Sequence, residues 1–240
     1  MEKKTGEIKG YLIDFGGTLD TSGLHWAKFL WRAYDGCHVG VTWDDFREAY
    51  IHTERALGRG GIIDPYMNMF DVIDQKISMQ LAWLSERKIP FERFTPKQWR
   101  VILVMGLLGD VKYYIKTNRP ILAQLADRAP LALVSNYYGN LTTVVEDLGI
   151  KDYFRTIVES AAVGVRKPNP LIFAIALERL GLQPHEVMVV GDSLKNDILP
   201  AHSLGCATAW LKGEGWDNDE HEPPAETHVI TSLDQLLQIP

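Results

Sequence analysis

The sequence predicts an α/β protein built on a parallel sheet covered on both faces, whose strands are divided in sequence by a long helical insertion. Short, near-continuous apolar runs at 131–134, 156–158, 187–190 and 206–210 alternate with helical segments from about Arg119 onward, as strands buried on both faces do. A run of the same kind stands alone near the start, over Gly10–Ile13. Between them, from about Thr21 to about Thr117, apolar residues recur at helical spacing and no strand stands out.

The first strand ends on Asp14, and Gly16 and Gly17 follow, so the backbone can turn tightly beside the carboxylate. Open α/β sheets keep ligands and chemistry at that end of a strand. In the insertion, Trp26, Phe29 and Leu30 share one helix face, and Thr42-Trp43-Asp44-Asp45 reads as an N-cap followed by acids in the first turn. Further helices are expected over 69–87 and 97–108. The second opens at Thr95-Pro96-Lys97-Gln98, with Thr as cap, Pro at the first helical position and Gln three residues after the cap. Trp26, Trp31, Trp43, Trp83 and Trp99 all precede residue 118; they read as the packing of a small helical bundle rather than an adaptable apolar substrate pocket.

Beyond the insertion, a helix over 120–128 leads to the strand 131–134, which ends in Ser135-Asn136. A helix over 141–148 precedes the strand 156–158. Asn169-Pro170 opens a helix to about Leu180, with Asn as cap. The strand 187–190 ends in Gly191-Asp192, a helix over 196–204 leads to the strand 206–210, and 228–230 closes the sheet.

Composition narrows the function classes. The 240 residues carry a net charge of -6 with basic residues scattered, which gives no support for nucleic-acid binding. Cys37 and Cys206 are far apart and lack ligand-like neighbours, as expected of two buried thiols in a reducing compartment. The amino-terminal segment is polar without an apolar signal region, and no apolar run approaches the roughly 18 to 20 residues that span a bilayer. A soluble, cytoplasmic protein with no membrane partner is expected.

The strands that matter end in groups suited to phosphate or metal: Asp14; Ser135 with Asn136; Lys167 within Gly164-Val165-Arg166-Lys167-Pro168-Asn169-Pro170; and Asp192 with Asp197. This ordered set resembles the haloacid dehalogenase (HAD) superfamily, whose members are mostly phosphatases with a split Rossmann-like core. The resemblance covers about 8–20 and 119–210, and the insertion looks like that family's helical C1-type cap. It implies an HAD-like Rossmann-like core over 1–20 and 118–240 and a cap over 21–117. It further implies an Mg²⁺ cofactor held by Asp14, Asp192 and the backbone carbonyl of Gly16, with Asp197 acting through water or by orienting its neighbours. Asp14 is the implied nucleophile and Thr18 holds it. Ser135, Asn136 and Lys167 bind the transferred group of a small phosphorylated metabolite. Three converging carboxylates repel one another unless a cation sits among them, and oxygen ligands suit Mg²⁺.

One position departs from the pattern. Most phosphatases of the family carry a second aspartate two positions after the nucleophile, where this chain has Gly16. The usual general acid and base is therefore missing, a loss worth roughly 10² to 10⁴ in rate. His25 and His52 are candidates to replace it, against the commoner reading of surface or packing histidines. Weak activity on ordinary phosphate monoesters is expected. The alternatives are a catalytically silent phosphate- and metal-binding protein, or a phosphonate-cleaving member that would use a cap lysine among Lys28, Lys76, Lys88, Lys97, Lys112 and Lys116. A metal-free dehalogenase is disfavoured by the retained Asp192 and Asp197.

Overall fold

A computed structural model describes residues 7–216 and 222–239; most of the polar amino-terminal segment lies outside them. Six parallel strands form one sheet, β1 (Gly10–Ile13), β2 (Leu131–Ser135), β3 (Phe154–Glu159), β4 (Val187–Gly191), β5 (Ala207–Leu211) and β6 (His228–Ile230), in the spatial order β3-β2-β1-β4-β5-β6. The order reverses direction at β1, so a crevice opens between the carboxyl ends of β1 and β4. Register fixes that crevice: Ile13 lies opposite Val190, and the Asp14 N–H donates to the Val190 carbonyl at 2.9 Å.

Alternation along the strands sends side chains to two faces. Tyr11, Ile13, Leu131, Leu133, Met188 and Val190 join one core cluster, whereas Leu12, Ala132, Val134, Val187 and Val189 join the other. The helix Leu171–Leu180 covers the second face with Ile172, Phe173 and Ala176. The first cluster runs on without a break into the helical insertion.

That insertion holds α1 (Trp26–Gly36), α2 (Trp43–Gly58), α3 (Met69–Glu86) and α4 (Pro96–Arg128), and no strand among the described residues. The expected starts of α2 and α4 hold. Thr42 accepts from the Asp45 N–H, and Thr95 and Gln98 form a reciprocal capping box behind Pro96. Trp31 and Trp43 pack edge to face and Trp99 is buried, so these indoles build the bundle core.

Two separate helices over 97–108 and 120–128 are not what forms. One 33-residue helix runs through both, with Pro120 inside it, and the expected boundary near residue 117 falls within its length. Pro120 lacks the N–H that would complete the ladder, yet the surrounding turns are anchored. Asn118 is buried and donates through Nδ2 to the Leu19 carbonyl at 2.9 Å, tying α4 to the loop after β1. Cys206 is buried, whereas Cys37 is only partly so, and both thiols are free. No helix among the described residues is long and apolar enough to cross a membrane.

Candidate active site

The loop after β1 carries Asp14 to the crevice and bends at Gly17, which adopts φ +97°; a Cβ there would meet the Asp192 carboxylate at 2.5 Å. Gly191 is required for the same reason on the other side, since its Cβ would strike Asp197 at 2.4 Å. Absent side chains on both strand ends thus let the carboxylates of Asp14, Asp192 and Asp197 converge, one oxygen of each lying within 4.8 Å of the others.

Lys167 closes the cluster. It is buried, and its Nζ donates to Asp14 Oδ1 and to Asp197 Oδ1, both at 2.6 Å. Burial is the largest influence on this ammonium and disfavours its charge, but the attraction of Asp14 and Asp197 together wins, so its pKa is raised. The remaining Asp197 oxygen accepts from the Ser193 N–H at 3.1 Å, so both of its oxygens are engaged. Thr18 Oγ1 lies 3.2 Å from Asp14 Oδ2 and 3.0 Å from Asp192 Oδ1, its single proton serving one at a time, and accepts from the Asp192 N–H at 3.1 Å.

The charges do not balance within the protein. Three carboxylates face one ammonium, and the protonation of the acids reflects it. Desolvation first, then the repulsion of Asp14 and Asp197, raises Asp192 well above the carboxylate range; desolvation, partly offset by Lys167, raises Asp197 to about 6. The excess of two negative charges and the hard oxygen donors fit a divalent cation such as Mg²⁺. The carboxylates that converge are those of Asp14, Asp192 and Asp197.

Ser135 ends β2, opposite Glu159 in register, and is buried beside this cluster's crevice. Asn136 does something other than face a substrate. Its Nδ2 donates to the Lys167 carbonyl at 3.1 Å and its Oδ1 accepts from the Lys167 N–H at 2.9 Å, so both amide atoms hold the lysine's backbone in place. The loop beyond it is pinned in turn by the Glu159 carboxylate, which accepts from the N–H groups of Gly139 and Leu141.

Gly16 leaves space. A Cβ there would meet only the Trp26 indole, Nε1 at 3.6 Å and Cδ1 at 3.7 Å, which is ordinary contact. Trp26 Nε1 donates at 2.8 Å to Asp20 Oδ2, and Asp20 Oδ1 accepts from the Gly17 N–H at 2.8 Å. Desolvation raises the fully buried Asp20 carboxyl to about 7 against the pull of those two donors. An unfolded chain releases this proton near pH 3.9. Between there and about pH 7 the folded protein holds a proton that the unfolded chain has lost, so stability falls as pH rises through that window and levels off above it. In metal-free protein, Asp20→Asn should flatten this slope, as read from urea midpoints at pH 5 and pH 8.

A cavity of about 1140 Å³ opens onto the cluster, lined by Asp192 and Ser193 from the sheet side and by His25, Lys28, Tyr50 and Glu54 from the insertion. The candidate histidines separate. His25 lines the cavity, but its Nδ1 caps α1 by accepting from the Ala27 N–H, and its ring packs on Tyr50 and Trp216. His52 lines a different depression, with Glu48, Arg59 and Trp83. Among the candidate lysines, Lys28 lines the cavity with Nζ 4.3 Å from the Trp43 ring centre. Lys76 is buried, paired with Glu54 and hydrogen-bonded to the Tyr138 hydroxyl at 2.7 Å.

Sequence reasoning missed Asp20, Trp26, Glu54, Lys76 and Tyr138 as one neighbourhood. In sequence Asp20 closes the stretch that runs from Gly10, Trp26 reads as bundle packing and Lys76 as one of six candidate lysines of the insertion, while Glu54 and Tyr138 carry no local signal.

The fold and the ordered strand-end groups define an HAD-type hydrolase scaffold. Residues 8–205 match the family model for haloacid dehalogenase-like hydrolases, and the chain belongs to that family. It is similar to pyrimidine 5'-nucleotidase YjjG of Escherichia coli (strain K12), 36% identical over 121 residues that make up 50% of this chain and 53% of that protein. It is also similar to phosphoglycolate phosphatase of Vibrio vulnificus, 37% identical over 111 residues, 45% of this chain and 48% of that protein. The chain spans about half the length of these relatives. In fold it resembles a dehalogenase with an intermediate complex (TM-score 0.63, 18% identity, 97% and 96% of the two chains). It also resembles the HAD-hydrolase YfnB of Bacillus subtilis bound to magnesium (TM-score 0.55, 18% identity, 97% and 98%).

Proposed function

We propose that this protein is a magnesium-dependent phosphatase-type hydrolase that works through an aspartyl nucleophile on a small phosphorylated metabolite, slowly where the leaving group is a poor one. The observation that carries this reading is the convergence of Asp14, Thr18, Lys167, Asp192 and Asp197 on one crevice beside a residue, Gly16, that has no proton to give. Family membership and the names of the curated relatives support the phosphatase class.

Asp14 Oδ2 is the oxygen not taken by Lys167 and is the one available to attack phosphorus. Thr18 orients it. Lys167 sets positive charge beside the crevice where phosphoryl oxygens would gather charge, a stabilisation that a preorganised buried donor supplies without reorganising. Ser135 adds a hydroxyl at the neighbouring strand end, and Asn136 keeps the Lys167 loop in register. Bound among Asp14, Gly16 and Asp192, Mg²⁺ would supply the remaining positive charge.

Without an acid at position 16 the first step depends on the leaving group, and hydrolysis of the aspartyl-phosphate lacks its usual base. With magnesium present, p-nitrophenyl phosphate should give a burst of nitrophenol of about one per enzyme followed by slow turnover, read by rapid-mixing absorbance. Steady turnover without a burst, or no reaction, counts against the reading. A catalytically silent binding protein would show the second outcome.

Magnesium should also stabilise the protein. At a concentration 100 times its dissociation constant the gain is about 2.7 kcal/mol, measurable as a higher melting temperature that chelator reverses. Asp192→Asn should lose most of that shift.

A further inference from the structure

Lys76, Glu54 and Tyr138 form a closed ring of hydrogen bonds that nothing in the preceding reading uses. Lys76, on α3, donates to Glu54 Oε1 and, at 2.7 Å, to the Tyr138 hydroxyl; that hydroxyl donates to Glu54 Oε2 at 2.6 Å. Two members come from the helical insertion and the third from the loop that begins at Ser135, so the ring spans the seam between insertion and sheet. The Lys76 side chain is almost fully enclosed, at 4% exposure, whereas Glu54 keeps 25%, and Glu54 lines the same cavity as Asp192 and Ser193. A carboxylate offers about four lone-pair positions, and the ring takes two of them.

The ring lies on the far side of an indole from the vacant position. Lys76 Nζ is 5.3 Å from the centre of the Trp26 ring, and Trp26 Nε1 is the nearest atom, at 3.6 Å, to where a side chain at Gly16 would begin. Contact passes from Gly16 through Trp26 to Lys76 and Glu54, and the shared cavity is what joins Glu54 to the Asp192 side of the site. A charged ring of this kind is costly to bury.

We propose that Glu54 is the general base of this site, taking over at the hydrolytic step from the carboxylate that residue 16 does not provide, with Lys76 and Tyr138 as its positioning residues. This deepens the aspartyl-nucleophile reading and rests on it. As a water oxygen bonds to phosphorus, the bond between phosphorus and the Asp14 oxygen breaks and its electron pair returns to the Asp14 carboxylate. The water proton passes to the Glu54 carboxylate, inorganic phosphate leaves, and Glu54 later releases its proton to solvent. Lys76 and Tyr138 hold both Glu54 oxygens in one orientation beside the cavity.

The test is epistasis between positions 54 and 16, with p-nitrophenyl phosphate and magnesium. Glu54→Gln should lower steady-state turnover roughly 10- to 100-fold and leave the burst amplitude intact, because phosphoryl transfer from this ester to Asp14 needs no base. In the Gly16→Asp background, which restores a base at the usual place, the cost of Glu54→Gln should shrink to under about threefold. A group that only latches the insertion to the sheet would impair burst and turnover together and would cost as much in either background; either result overturns the proposal. Should Glu54→Gln unfold by stranding the Lys76 charge, the pair Glu54→Gln with Lys76→Met removes both charges and reads the same two quantities. Absence of any burst in the unmodified protein instead removes the aspartyl-nucleophile reading itself, a result distinct from the others.

Discussion

Gly16→Asp should convert this protein into an ordinary phosphatase, raising turnover of alkyl phosphate monoesters by roughly 10² to 10⁴, about 3 to 5 kcal/mol of barrier. The position tolerates the change. A Cβ there makes only ordinary contact with the Trp26 indole, and the backbone of Gly16 is not in the left-handed region that excludes side chains. Asp14 stands two residues before it, held by Thr18 and Lys167, with Asp192 and Asp197 completing the acidic set. With alkyl leaving groups the gain includes protonation of the departing oxygen; with p-nitrophenol, whose departure needs little protonation, it should appear only in the slow turnover after the burst, where hydrolysis of the aspartyl-phosphate regains a base. Steady-state kinetics across a leaving-group series reads this directly. A folded Gly16→Asp protein with no gain would mean that the site lacks more than one proton.

Lys167→Met should abolish turnover and destabilise the fold at the same time. Among the described residues Lys167 is the one ammonium bonded to the buried carboxylates of Asp14 and Asp197, and removing one partner of a buried charge pair costs about 3–5 kcal/mol because the other is left uncompensated. For a chain of this size that is on the order of 10 °C in melting temperature. The sign with pH follows. Asp197, raised by burial to about 6 even beside Lys167, takes up a proton more readily still once the lysine is gone, so the deficit is greatest near pH 8 and narrows towards pH 5. Magnesium should recover part of the stability by restoring positive charge among the acids, and none of the activity. Melting curves at both pH values, with chelator and with magnesium, separate these effects.

The sequence revealed the parts of this site that are written locally. An apolar run ending in one polar residue is visible wherever it occurs, and Asp14, Ser135 and Asp192 each sit on or just beyond such an end; the strand order puts β1 between β2 and β4, whereas Lys167 reaches the cluster from the loop after the short helix Ser160–Val163 that follows β3. Helix starts were legible for the same reason, since Thr42 and Thr95 cap within three residues of themselves. What failed depended on distance. Thr117-Asn118-Arg119-Pro120 reads as a break because Asn and Pro end helices, and nothing near it indicates that Asn118 is buried against the Leu19 carbonyl, 99 residues away. Asn136 looked like a phosphate ligand because it follows Ser135, whereas its amide is spent on the Lys167 backbone. Glu54, Lys76 and Tyr138 are scattered over two helices and a loop, and each alone is an unremarkable polar residue.

The covalent intermediate is the most direct test of the aspartyl nucleophile. Protein mixed with p-nitrophenyl phosphate and magnesium, quenched in acid within the burst and digested, should carry a phosphoryl group on the peptide containing Asp14, and the Asp14→Asn protein should carry none. Nitrophenol release from unmodified protein with no phosphoryl group on that peptide, or with one on a different residue, would contradict the assignment.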